Sequence, residues 1–206
     1  MHKFFFDRQP HNGMTYEDYN NLFNGKIDSV VPQNLSPDEA EQLSNTKLNF
    51  QRMSRINKTY KVNENLARAI KEIDKPQLWM ILTELWCGDS AQNIPYIAQI
   101  AKYNPLIDLR ILLRDENPDI MDYYLTNGTR GIPKLVAFDI DGSEIFQWGP
   151  RPKEAQELVT KAKQEGKPKK EFIELLHKWY AFNKGKNLEE EFFNLISASH
   201  YCPNFF

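Results

Sequence analysis

The residue in this chain that is best suited to chemistry is Cys87, because it lies at a predicted junction between a strand and a helix. The apolar run at residues 78–82 has the length of a short buried strand. Downstream, the apolar residues within 91–103 recur at the three- and four-residue spacings of a helix that packs on a sheet. Cys87 is therefore predicted to lie at the amino-terminal end of that helix.

The position of Cys87 predicts a reactive thiol. The first backbone N–H groups of a helix are unpaired and make that end positive, which stabilises a thiolate. Asp89 places a carboxylate nearby and opposes part of this effect. We therefore expect a lowered pKa for Cys87 and alkylation faster than that of a cysteine peptide. The alternative is an inert cysteine in a packed turn.

Several segments around Cys87 resemble thioredoxin-fold proteins, in order and at similar spacings. They are Trp86-Cys87-Gly88, Pro95 within the next helix, Asp-Glu-Asn-Pro at 115–118, Arg-Gly-Ile-Pro-Lys at 130–134, and the Asp141-Gly142 turn. The resemblance covers roughly residues 63–166. It implies an α/β thioredoxin-like fold, in which helices flank a central mixed β-sheet, with helical extensions at 1–62 and 167–206. It also implies a cis peptide bond before Pro133.

The chain departs from the thioredoxin pattern at three positions. Ser90 stands where thioredoxins carry a second cysteine, Ile81 replaces their buried acid, and Asp89 replaces a proline. The motif therefore cannot close an internal disulfide. The chain resembles the single-thiol Cys-x-x-Ser members of the superfamily, and its Cys-Gly-Asp-Ser motif resembles that of a little-characterised bacterial thioredoxin family.

The resemblance also implies a set of site residues. The catalytic candidates are Cys87 as nucleophile, Ser90 as a hydrogen-bond donor to the thiolate, and Pro133 in the loop that aligns the substrate. Either Arg130 or Lys134 is expected to stabilise the thiolate or hold an anionic thiol substrate. The full set of substrate-binding candidates is Trp86, Gly88, Asp89, Arg130, Ile132 and Lys134.

Two further residues near the motif have open roles. Glu84 is either a solvated carboxylate, which we favour, or a local base. Trp148, at the end of a predicted hairpin strand, is expected to pack in the core and alternatively to line the substrate groove.

Composition excludes several classes of function. The 206 residues include 26 basic and 28 acidic residues, and the net charge of −2 gives no sign of binding to nucleic acid or membrane. The histidines and the two cysteines are too dispersed for metal-ligand spacing, so we expect no metal and no cofactor. Only three consecutive apolar residues occur near the amino terminus, too few for a signal peptide, and we expect a cytoplasmic location.

The two extensions are predicted to be helical. Thr15 and Ser36 begin capping-box patterns, and amphipathic patterns occur at 172–179 and 188–196 after a basic, solvated linker at 166–170. The carboxy-terminal helices are expected to pack on the domain or on a second subunit. The amino-terminal aromatic residues are expected to pack on the domain or, alternatively, to form a lid or partner surface beside Cys87; they are Phe4, Phe5, Phe6, Tyr16, Tyr19 and Phe23.

These features favour a single-thiol thiol–disulfide oxidoreductase acting on a protein or low-molecular-weight thiol or disulfide. The alternative is a non-catalytic binding or adaptor module, because fold alone does not determine activity. Cys202, near the carboxy terminus, is not expected to form a disulfide with Cys87, since nothing in the sequence holds the two close together.

Overall fold

The computed structural model describes residues 13–29 and 35–201 of the chain. The hypotheses about Phe4, Phe5, Phe6 and Cys202 fall outside these residues. In the described part, no helix is long and apolar enough to cross a membrane. Within the same ranges, no three acidic, histidine or cysteine side chains are grouped as metal ligands.

A four-stranded mixed sheet forms the centre of the fold, in the order β2-β1-β3-β4. β1 pairs parallel with β2 and antiparallel with β3, and β3 pairs antiparallel with β4. The central strand β1 places Trp79 opposite Ala137 and Ile81 opposite Leu135. The strands are β1 (Gln77–Thr83), β2 (Ile107–Leu113), β3 (Lys134–Phe138) and β4 (Glu144–Trp148).

Eight helices in the described residues surround the sheet, and a one-turn 3₁₀ helix follows β2 at Arg114–Glu116. They are α1 (Tyr16–Asp28), α2 (Pro37–Thr59), α3 (Glu64–Lys71), α4 (Gly88–Ala101), α5 (Pro118–Tyr123), α6 (Lys153–Gln164), α7 (Lys169–Asn183) and α8 (Lys186–Tyr201). This architecture confirms the α/β thioredoxin-like class with helical extensions.

The amino-terminal helices begin where their capping residues predict. Thr15 and Ser36 each accept a hydrogen bond from the backbone N–H three residues later, and Asp18 and Glu39 complete the two capping boxes. The basic linker is shorter than predicted, since α7 already begins at Lys169, directly after Pro168. Proline suits the start of a helix because the first N–H groups have no partner within it.

Alternating side chains of the strands divide the interior into two cores. Trp79, Ile81 and Leu135 face a large core that receives residues from α1, α2, α3, α4 and α8. Met80, Leu82 and Val136 face a smaller core that contains Cys87 and residues from α5. Cys87 therefore lies on the side of the sheet opposite most of the helices.

The extensions are part of the large core. Tyr19 and Phe23 of α1 are almost fully buried, so these two aromatic residues pack on the domain. In α8, Phe192 is fully buried between Trp79, Phe146 and Trp148. By contrast, α7 packs mainly on α6, where Leu176 and Tyr180 join Ala155 and Val159 in a small separate core.

Candidate functional site

Cys87 lies at the amino-terminal end of α4 as its N-cap residue. Its Sγ atom donates a hydrogen bond to the carbonyl oxygen of Ile132 at 3.4 Å. The Ile132–Pro133 peptide bond is cis. The fold thus brings together three of the predicted site residues, Cys87, Ile132 and Pro133, from segments that are 45 positions apart.

Ser90 lies directly behind Cys87 in the first turn of α4. Its side chain is fully buried, and its Oγ atom accepts a hydrogen bond of 2.7 Å from the Thr83 hydroxyl at the end of β1. Hydrogen bonds from Ser90 and from the backbone N–H of Asp89 favour the thiolate and act to lower the pKa of Cys87. The hydrogen-bond donors that favour the Cys87 thiolate therefore come from the amino-terminal end of α4, as the sequence predicts.

The effect of burial on the Cys87 pKa nevertheless outweighs the effect of these hydrogen-bond donors. Only 9% of Cys87 is exposed, and burial together with the negative charge of Asp89 raises its pKa to about 11. The expectation of a lowered pKa is therefore wrong for this structure. The reason is that a thiolate at a buried helix end loses its hydration, a cost that sequence position alone does not reveal.

The Asp89 side chain is mostly buried and connects α4 to α7 and to the loop after β4. Its carboxylate forms an ion pair with Arg151, which lies in the loop after β4. It also accepts a hydrogen bond of 2.7 Å from the Tyr180 hydroxyl of α7. Asn93, one turn further along α4, donates to the Tyr180 oxygen at 3.0 Å and to the Asp89 carbonyl. Four residues thus join α4, α7 and the loop after β4.

Gly88 lies beneath two further side chains of the extensions. A Cβ atom at Gly88 would lie 3.3 Å from the His177 ring of α7 and 3.6 Å from the Arg52 guanidinium of α2. Burial and the charge of Arg52 lower the pKa of His177 to about 4, so the ring is neutral at pH 7. A side chain at position 88 would therefore crowd the His177 ring of α7, which would have to shift by a few tenths of an ångström.

The remaining predicted substrate-binding residues have different surroundings. Trp86 is 40% exposed, and the Arg114 guanidinium lies 5.1 Å from its ring centroid, within the range of a cation–π contact. Arg130 pairs with Asp122 on the outer surface. Lys134 begins β3 and is only 6% exposed. Of the two cations that flank Pro133, Lys134 is the one that points inward.

Glu84 is buried, so the prediction of a solvated carboxylate is wrong. It is 8% exposed, and its carboxylate accepts a hydrogen bond of 2.8 Å from the backbone N–H of Asp115. Burial raises its pKa. Glu84 thus connects the end of β1 to the 3₁₀ turn after β2. Trp148 packs against the core as favoured, and its ring N–H donates to Glu191 at 2.6 Å.

A second cis peptide bond, Gly149–Pro150, lies against the Pro133 loop. Gly149 has a φ of 114°, and a Cβ atom there would overlap the carbonyl oxygen of Pro133. Glycine is therefore required at position 149 for both backbone conformation and close approach. The loop after β4 in this way brings Arg151 to Asp89 of the Cys-Gly-Asp-Ser motif.

The sequence did not identify the residues that contact Gly88 and Asp89 of the motif from distant segments. Arg151, His177 and Tyr180 follow the motif by 60 to 90 positions, and no motif or periodicity links them to it. The sequence around His177 and Tyr180 predicts only an amphipathic helix after a solvated linker. Finding them required the packing of α7.

The sheet, the cysteine at the start of α4 and the cis-proline loop together define a thioredoxin-like protein. A family model described as thioredoxin matches residues 36–163, which is more than half of the chain. The chain therefore belongs to this thioredoxin family. The matched region begins at α2 and so includes part of the predicted amino-terminal extension.

Two solved structures share the fold. One is a crystal structure of a protein of unknown function from Pseudomonas aeruginosa, with a TM-score of 0.56 and 12% identity over 90% of this chain and 99% of that chain. The other is an HIV epitope-scaffold, with a TM-score of 0.55 and 12% identity over the same shares of the two chains. A search of curated proteins found no match.

Proposed function

We propose that this protein is a single-thiol thiol–disulfide oxidoreductase whose nucleophile is Cys87. The observation that carries the proposal is the hydrogen bond of 3.4 Å between Cys87 Sγ and the carbonyl of Ile132, beside cis-Pro133, in a chain of the thioredoxin family. The Cys-Gly-Asp-Ser motif supports assignment to the single-thiol members. This chemistry suits a reducing compartment such as the cytoplasm.

The reaction would proceed by two thiol–disulfide exchanges. The Cys87 thiolate attacks one sulfur of a substrate disulfide R–S–S–R′, so that a Cys87–S–S–R bond forms and R′–S⁻ leaves. A second thiolate then attacks the R sulfur, releases the Cys87 thiolate and forms a new disulfide. Ser90 replaces the internal resolving cysteine of thioredoxins, so the second thiolate comes from another molecule.

The burial of Cys87 requires that the site opens before it reacts. In this proposal α7, whose Tyr180 and His177 lie against Asp89 and Gly88, moves away from the motif and exposes the sulfur, which removes much of the desolvation that raises the Cys87 pKa to about 11. The Ser90 and Asp89 hydrogen bonds, which belong to α4 itself, would remain to stabilise the thiolate. The described structure therefore corresponds to a closed form in this proposal.

The same burial also favours a second candidate, a thioredoxin-like binding module without turnover. In that case α7 would remain closed and the motif would serve as part of a packed interior. The two candidates differ in whether Cys87 undergoes exchange.

Turnover of a peptide–glutathione mixed disulfide with reduced glutathione would distinguish the two. We expect measurable turnover by the wild-type chain, a fall to the background rate in Cys87→Ser, and a change of less than about twofold in the matched control Cys202→Ser. Mass spectrometry of the oxidised protein should find Cys87 joined to glutathione. Equal rates in the wild-type and Cys87→Ser proteins would exclude the oxidoreductase and favour the binding module.

A further inference from the structure

Lys134 is a mostly buried cation whose side chain has no ion pair among the described residues. It is 6% exposed; its backbone pairs with Leu82 in the sheet, while its ammonium group forms no ion pair within residues 13–29 and 35–201. Burial lowers its pKa, and the charge of Glu144 offsets this only in part. An ammonium group that is partly shielded from water and has no ion pair is less stable than a hydrated one, and an anion beside it would offset that cost.

Lys134 faces a groove of about 760 Å³ between the cis-proline loops, α6 and α8. Arg151, Lys153 and Lys161 also line this groove, and its two carboxylates belong to Glu157 and Glu191. Glu191 already accepts hydrogen bonds from the Trp148 ring and from the backbone of Lys153. The groove thus has an excess of positive charge, and its volume lies in the range of small-molecule sites.

The groove reaches the redox motif at two points. Lys134 follows Ile132 by two residues, and the Ile132 carbonyl contacts Cys87 Sγ. Two extended residues span roughly 7 Å along the backbone, so the main chain of Lys134 lies close to the segment that contacts the Cys87 sulfur. At the other point, Arg151 lines the groove and pairs with Asp89, two residues after Cys87.

We infer that this groove binds the carboxylate end of a low-molecular-weight thiol, with Lys134 as the anion-binding residue and Cys87 facing the sulfur. The inference rests on the proposed function and names its substrate class. A small thiol fits better than an acidic protein segment, since Lys134 is mostly buried and the groove has a limited volume.

Binding can be tested without chemistry by using S-methylglutathione, which has carboxylates but no free thiol, and the Cys87→Ser chain. We expect calorimetry to show saturable binding that weakens by about tenfold or more in the additional variant Lys134→Gln, because a charge-assisted contact is lost. The dimethyl ester of the same probe should bind weakly to both proteins. Lys71→Gln, an exposed lysine on α3, removes the same charge away from the groove and should leave binding unchanged.

Three results would overturn the inference. They are equal binding by Lys134→Gln, equal binding of the ester, and tighter binding of inorganic phosphate or of an acidic peptide than of S-methylglutathione. Thermal unfolding of each variant shows whether it is folded. Because binding is measured in Cys87→Ser, a failure of this site leaves the exchange assay intact, and a failure of exchange leaves the binding result interpretable.

Discussion

At the scale of single residues, the chemistry of Cys87 depends on opposing effects within a few ångströms. The helix end, Ser90 and the backbone N–H of Asp89 favour the thiolate, whereas burial and the Asp89 carboxylate favour the thiol. Burial has the larger effect on the pKa, and the Cys87 thiol donates a hydrogen bond to the Ile132 carbonyl. The local sequence of the motif therefore sets the available donors but not the resulting pKa.

The substitution Asp89→Asn should lower the pKa of Cys87 from about 11. It removes a negative charge near the sulfur and frees the positive charge of Arg151, and both changes favour the thiolate. Because the thiolate is the reactive form, alkylation at pH 8 should become faster by about an order of magnitude. Ultraviolet absorbance of the thiolate against pH measures the midpoint directly.

The matched control for this substitution is Asp141→Asn, which removes an exposed carboxylate from the turn between β3 and β4. It should leave the midpoint unchanged. A higher midpoint in Asp89→Asn would show that the Asp89 carboxylate does not act on Cys87 as described.

At the scale of elements, α7 lies against the Cys-Gly-Asp-Ser motif and, in the proposed function, controls access to Cys87. Tyr180 donates a hydrogen bond to Asp89, the His177 ring lies next to Gly88, and the helix otherwise packs on α6 through a small core. Such a helix has fewer buried apolar contacts than α8, and segments of this kind open at lower free energy than the rest of a domain. We therefore expect α7 to open while the sheet stays folded.

The substitution Tyr180→Phe tests this role of α7 because it removes only the hydroxyl that bonds to Asp89. Loss of its hydrogen bond to the Asp89 carboxylate should cost about 1.5 kcal/mol and raise the open fraction roughly tenfold. Alkylation of Cys87 should accelerate to a similar extent, although the charge of Asp89 is retained. Hydrogen exchange should show the loss of protection confined to α7.

Tyr103→Phe serves as the control for Tyr180→Phe, since Tyr103 is exposed just beyond the far end of α4. Its alkylation rate should equal that of the wild type. If Tyr180→Phe also leaves the rate unchanged, α7 does not limit access to Cys87.

At the scale of the whole molecule, the helical extensions and the thioredoxin-like region share one hydrophobic core. α1 contributes Tyr19 and Phe23, and α8 contributes Leu188, Phe192 and Ile196, all almost fully buried. α8 therefore does more than cover the sheet, because its aromatic contacts reach Trp79 on the central strand. Removing these side chains should destabilise the entire fold.

The substitution Phe192→Ala should lower the free energy of unfolding by about 3–5 kcal/mol, owing to lost apolar burial and the cavity left behind. Urea denaturation measures the change. The matched control is Phe182→Ala on α7, because Phe182 is 75% exposed and its loss should change stability by less than about 0.5 kcal/mol. Similar values for the two variants would contradict a core role for α8.

The sequence by itself determined the elements that depend on interactions between residues close together in the chain. Capping boxes set the starts of α1 and α2, apolar runs gave the strands, and the spacing between Cys87 and Pro133 indicated the family. These features depend on residues within a few positions of one another or on a recognisable motif, so they can be read without the fold.

Only the tertiary structure decided how the site is covered and charged. The low pKa expected for Cys87 and the solvated Glu84 were wrong because each inference assumed solvent where the fold places protein. Tyr180 and Arg151 reach Asp89 from distant segments, and burial of Cys87 in its packed surroundings raises the pKa of the thiol. Desolvation is a property of the whole packed surroundings, so a motif alone cannot specify it.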